Sequence, residues 1–101
     1  MKVVYSERAR HDIADIYDSI TPHSSAAAQR VEDFIRSTAK RLADFPYASV
    51  ATDEPNVRRL PLVRFPYTIY CRVDAVCDFV EIARVIHSAR IRDLRRLPET
   101  E

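Results

Sequence analysis

The residues best suited to chemistry lie at the end of the last long apolar run. His87 follows Val85-Ile86, with Arg84 and Arg90 close by in the chain. An imidazole titrates near neutral pH, so His87 could serve as a general base, with the two guanidiniums clamping a phosphate beside it. The plainer reading, which we prefer, is a strand-end histidine that hydrogen-bonds the backbone or helps pack the tail. Asp12 and Asp15 could form an acid–base carboxylate pair. They lie with His11 and Asp18 off the apolar stripe of their helix, however, and read as a solvated face. Cys71 and Cys77 flank a predicted turn and read as two free thiols in a reducing compartment. His11, His23 and His87 show no ligand spacing with them, so no metal is expected.

The elements that must position these residues follow from periodicity. Lys2 to Tyr5 is short and β-prone, a first strand. Ser6 suits a helix N-cap, with Glu7 placed well for the positive helix end. Ala9, Ile13, Ile16, Tyr17 and Ile20 then form one helical stripe. Thr21-Pro22-His23-Ser24-Ser25 breaks the helix, because proline lacks an N–H and disfavours helix in the residue before it. Ser24 or Ser25 can cap a second helix from Ala26, with a stripe of Ala27, Val31, Phe34, Ile35, Thr38, Leu42 and Phe45, stopped by Pro46. The short link makes the pair an antiparallel hairpin.

Tyr47 to Asn56 has no period and reads as a loop. Val57 to Leu60 or Leu62 reads as a strand, and in Tyr67–Val73 apolar and polar residues alternate. Asp74–Asp78 is a turn. Phe79–Ile86 is nearly continuous in apolar residues, as in a central strand buried on both faces. Ala89 to Leu97 reads as a short helix or tail. The expected fold is α+β, one domain over residues 1–101: an N-terminal strand, a two-helix hairpin, and a three-stranded antiparallel sheet packed on the helices.

Composition excludes several classes. Sixteen basic side chains nearly balance 15 acidic ones, which argues against a generic nucleic-acid coat. The charge is uneven, −2 over residues 1–55 and +3 over residues 56–101. Glycine is absent, so turns must use Pro, Asp, Asn and Ser, and no glycine-rich phosphate loop can form. No apolar run approaches the roughly 20 residues that span a bilayer. Charge arrives too early for a signal peptide, so a cytoplasmic location away from membranes is expected.

Several local features, taken in order, carry a resemblance. They are Tyr5-Ser6-Glu7-Arg8-Ala9 leading into Asp12-Ile13-Ala14-Asp15-Ile16-Tyr17, then Arg59-Leu60-Pro61, then Phe65-Pro66-Tyr67-Thr68-Ile69-Tyr70-Cys71-Arg72-Val73, and finally Val80 to Arg90. Together they resemble the ParE/RelE superfamily of toxins from type II toxin–antitoxin modules, on the ParE side. The resemblance implies a growth-arresting toxin without a cofactor, neutralised by a cognate antitoxin whose other half binds operator DNA. Contact with DNA would then be indirect. ParE-type members poison DNA gyrase, whereas RelE-type members cleave mRNA on the ribosome.

RelE-type toxins resemble one another in placing lysines and arginines on the sheet and a tyrosine in the C-terminal segment. Here Arg59 matches one basic position, but a neighbouring one falls at Pro61 and another at Thr68, and the last tyrosine is Tyr70. The expected function is therefore gyrase inhibition by binding rather than catalysis. The alternatives are a ribosome-dependent mRNA endonuclease using Arg59, Arg84, His87 and Arg90, and an inactive binding domain of a degenerate module. Arg58, Arg59, Arg64 and Arg72 are candidates for meeting antitoxin carboxylates, and Arg90, Ile91 and Leu94 for contacting the target.

Overall fold

Two serines start the helices. Ser6 accepts the Ala9 N–H at 3.0 Å and begins α1 (Glu7–Ile20); Ser24 accepts the Ala27 N–H at 3.1 Å and begins α2 (Ser25–Asp44). Each occupies the N-cap in extended backbone and satisfies one of the amides that a helix end leaves free. The computed structural model describes residues 1 to 90. Around the helices lie β1 (Lys2–Tyr5), β2 (Val50–Ala51), β3 (Arg58–Pro61), β4 (Tyr67–Asp74) and β5 (Phe79–His87), with single 3-10 turns at Pro46–Ala48 and Ser88–Arg90.

The sheet has the order β1-β5-β4-β3-β2. The three long C-terminal strands pair antiparallel as expected, but the sheet extends beyond them. β1 joins β5 in parallel, with Val3 beside Val80 and Tyr5 beside Ile82. β2 pairs with β3 inside the stretch expected to be all loop. With no glycine available, Asn56 and Asp78 take the left-handed backbone at the turns, with φ of 67° and 62°. Among non-glycine residues these two types tolerate that conformation best.

Alternation along the strands gives the sheet two unlike faces. Val3, Tyr5, Ile69, Cys71, Val80 and Ile82 turn toward the helices and meet Ile13, Val31, Ile35 and Leu42. Ile35, Ile69 and Ile82 are fully buried there, and burying each aliphatic side chain contributes about 1.5–3 kcal/mol. Arg59, Tyr70, Arg72 and Glu81 fall on the opposite, open face. β5 is thus covered mainly on one side over its first half, where Val80 and Ile82 are buried and Phe79 and Glu81 partly exposed, whereas the consecutive Val85 and Ile86 are both buried. The expectation of a strand buried on both faces holds at Val85–Ile86 and is corrected for Phe79–Ile82. The second helical stripe also changes at its ends, since Ala28 is buried and Phe45, past the last turn, is 65% exposed.

One irregularity shapes β5. The β4–β5 register passes from Tyr70 opposite Arg84 to Cys71 opposite Ile82, leaving Ala83 as an extra, bulged residue. A bulge frees backbone groups that need partners, and α1 supplies them. The Ser6 hydroxyl donates to the Ala83 carbonyl at 2.9 Å, and the Val85 N–H donates to Asp12 at 3.0 Å.

Candidate functional site

Asp12 is the most constrained charged residue described. One turn into α1 it is 9% exposed, and its carboxylate accepts Nε and Nη2 of Arg84, each at 3.0 Å, as well as the Val85 amide. The expected solvated face therefore holds for its neighbours His11, Asp15 and Asp18, which are exposed, but not for Asp12. A two-pronged guanidinium–carboxylate pair is strong and directional. It also commits Arg84: the cation proposed for a phosphate clamp is spent on holding the bulge to α1.

His87 is committed in another way. Its Nδ1 accepts the Ala89 N–H at 3.1 Å, and its ring stands edge-on to Tyr67, centroids 5.3 Å apart. Tyr67 belongs to the helix-covered core, so its cross-strand partner His87 lies at the rim of that face. Arg59 lies on the other face, opposite Tyr70. Arg90 is exposed at the end of the last 3-10 turn. Of the four ribonuclease candidates, Arg59 and Arg84 thus flank Tyr70 in one cross-strand row, but Arg84 is paired with Asp12 and His87 belongs to the other face. Ile91 and Leu94, like the rest of the expected short helix or tail after Arg90, lie outside the described residues.

The arginines assigned to antitoxin contact divide similarly. Arg58 donates to the Ser49 hydroxyl at 2.9 Å and carbonyl at 2.7 Å and lies 5.0 Å from the centre of the Tyr47 ring, pinning the 3-10 turn and β2 to the sheet. Arg72 pairs with Glu81 at 3.1 Å on the open face. Arg59 and Arg64 make no ion pair or hydrogen bond among the described residues, although Arg64 lies over the Phe34 and Phe65 rings at 6.0 and 5.8 Å.

Sequence reasoning missed one feature altogether. A groove of about 430 Å³ separates the end of α2 from β3 and the residues after it. Phe34, Leu42 and Phe45 form one wall, and Leu60, Leu62 and Val63 the other. Phe45 and Val63 are 65% and 89% exposed, large apolar groups left in water. The available signal was the run Leu60-Pro61-Leu62-Val63, which holds more apolar residues than one side of a strand can bury.

The two thiols also differ. Cys71 is buried in the core and Cys77 is exposed in the turn, and neither is in a disulfide. Burial pushes the Cys71 thiol above its ordinary pKa, outweighing the nearby Ser49 hydroxyl and Arg58 charge. A thiol reacts as the thiolate, so iodoacetamide at neutral pH should label the native protein once, at Cys77. A second equivalent should enter only on denaturation. Equal labelling of both cysteines in the folded protein, read by mass spectrometry, would contradict this placement.

Comparison with known proteins adds to this geometry. The family described as the ParE toxin of the type II toxin–antitoxin system parDE matches residues 3–92. The chain belongs to the ParE toxin family. It is thus a toxin of the type II toxin–antitoxin class. Its fold is similar to that in the chromosomal ParDE toxin–antitoxin system of P. aeruginosa, with a TM-score of 0.75 and 23% identity over 86% of this chain and 95% of that one. The isolated E. coli RelE toxin is similar with a TM-score of 0.61 and 13% identity over 94% and 96% of the two chains. A chain of the intact E. coli RelBE toxin–antitoxin complex gives 0.60 and 14% over 84% and 93%. No curated protein matches the sequence. At these identities the structural likenesses speak for the fold of this ParE-family toxin, and its target must be argued from its own residues.

Proposed function

We propose that this toxin acts by binding DNA gyrase and trapping it on cleaved DNA, and that a cognate antitoxin neutralises it in the cytoplasm. The observation that carries this reading is the commitment of the groups a ribonuclease would use. Cleavage through a 2′-hydroxyl needs a proton acceptor, a proton donor and free cations around one phosphate. Arg84 is held by Asp12. His87 accepts a backbone amide at the rim of the helix-covered face, across the sheet from Arg59. A toxin that works as a wedge or clamp needs surface and shape and no such cluster. Arg90, with Ile91 and Leu94 beyond it, is our assignment for target contact.

Purified toxin incubated with gyrase, ATP and plasmid should yield linear DNA after detergent and protease treatment, and added antitoxin should abolish that product. His87→Ala should leave growth arrest and the linear product within about threefold of the parent, because a capping hydrogen bond to an exposed turn contributes only about 0.5–1.5 kcal/mol. A toxin that arrests growth without linear DNA, and loses arrest with His87→Ala, would reject gyrase poisoning. The second reading, mRNA cleavage, would then take its place; Arg59 beside the Tyr70 phenol on the open face is the observation in its favour.

A further inference from the structure

We propose that residues 45–51, which link α2 to the loop before β3, form a strap latched to the sheet by the Arg58 guanidinium. When the latch lets go the strap lifts as a unit, with the body still folded, and takes one end of the groove wall with it. The device needs no ligand, and it stands apart from the question of what this toxin binds.

Three observations carry it. The first is the lack of apolar anchorage. Among the described residues, no side chain between Leu42 and Leu60 belongs to the apolar core or packs against it. Phe45, Tyr47 and Val50, the large apolar residues of the strap, are all exposed, and within 45–51 only Ser49 is buried. A segment with so few buried apolar contacts lies at the low end of local stability. The second is pairing. β2 joins the sheet through Val50 opposite Arg59 and Ala51 opposite Arg58, short of the usual strand length of about 3–10 residues.

The third is the latch itself. Arg58 donates Nε to the Ser49 hydroxyl and Nη2 to the Ser49 carbonyl, and the Tyr47 ring lies over the same guanidinium. The Ser49 hydroxyl in turn donates to the Pro46 carbonyl at 2.6 Å, which ties the 3-10 turn to that point. The bond from the Ala48 N–H to the Phe45 carbonyl stays inside the strap and fastens it to nothing else. One side chain of β3 therefore gathers Tyr47, Ser49 and, through Ser49, Pro46, so its release frees them together. Phe45 and Ala48 also line the groove, across from Leu60, Leu62 and Val63. The groove volume of about 430 Å³ is thus that of the latched strap.

The test is amide hydrogen exchange on the full chain, read residue by residue by NMR. The reporters are Val50 in β2, Thr52, whose N–H donates to the Val57 carbonyl, and Phe45, whose N–H donates to the Arg41 carbonyl. Arg58→Lys keeps the charge but loses the fork that grips Ser49, and should speed exchange at all three at least tenfold. A core substitution destabilises the latched and lifted forms alike. Ile35→Ala should therefore speed the Ile82 amide at least about 20-fold and leave Val50 and Thr52 within twofold of the parent. Ile35→Val, with a smaller change at Ile82, serves where the alanine variant does not fold. Strap amides that follow the core substitution as Ile82 does would show that the strap opens only when the whole protein unfolds, and would overturn the proposal. Strap amides unmoved by Arg58→Lys would remove Arg58 as the latch. Phe45 unmoved while Val50 and Thr52 quicken would confine the opening to β2 and leave the groove wall in place.

Discussion

Asp12→Ala should cost this protein about 3–5 kcal/mol of stability, the range seen when one partner of a buried ion pair is removed. The substitution leaves the Arg84 guanidinium and the Val85 amide without the acceptor that holds them. Domains of this size are stable by about 5–15 kcal/mol in all, and each kcal/mol moves the midpoint by roughly 4–8 °C. The thermal midpoint should therefore fall by at least about 12 °C, as read by circular dichroism. Asp12→Asn can still accept the Val85 amide and should lose less. Replacing both partners, Asp12→Leu with Arg84→Met, should recover much of the loss, because no buried charge is then left alone. If Asp12→Ala melted within about 2 °C of the parent, the bulge would be held by something other than this carboxylate.

Ile35→Ala should follow closely, with a loss of about 2–5 kcal/mol. Ile35 has no exposed surface and sits where α2 crosses the sheet, within one cluster that includes Ile69, Val80 and Ile82. The close-packed strands beneath it cannot move in to fill the space of the missing atoms. Ile35→Val, which removes one methylene group, should cost about 0.5–1.5 kcal/mol. Equal unfolding midpoints in urea for the valine and alanine variants would show that the site collapses and that the core is looser than its packing suggests.

Much of this architecture was legible because it is local. Ser6 and Ser24 advertise helix starts through side chains that reach only three residues on. Tyr67, Ile69, Cys71 and Val73 announce their shared face by alternation alone. What could not be read depends on distant partners. The parallel pairing of Val3 with Val80 leaves no periodic trace in either segment. Val50–Ala51 is too short to show a period, and it pairs because Arg58 grips Ser49.

The same distinction explains the site. Asp12 looks like its solvated neighbours until Arg84, 72 residues away, is brought beside it. The arginines of β3 to β5 could be listed from the sequence, but only the fold decides which are occupied and which are available. The groove was least legible of all. Phe45 continued a helical stripe on paper, yet α2 ends at Asp44, so its ring leaves the core and becomes a wall.

The place of β5 bears on when a toxic molecule comes into being. This strand follows the other four in the chain, yet it lies between β1 and β4, and it carries the partners of Ser6 and Asp12. Until it emerges from the ribosome, β1 has no neighbour in the sheet, and the carboxylate of Asp12 has only Arg8 of its own helix beside it and not the two-pronged partner Arg84. Long-range pairings of this kind close late and slowly. A message broken upstream of the codons for Phe79–His87 therefore yields a product that cannot complete its sheet. The fold is thus completed only once β5 has left the ribosome.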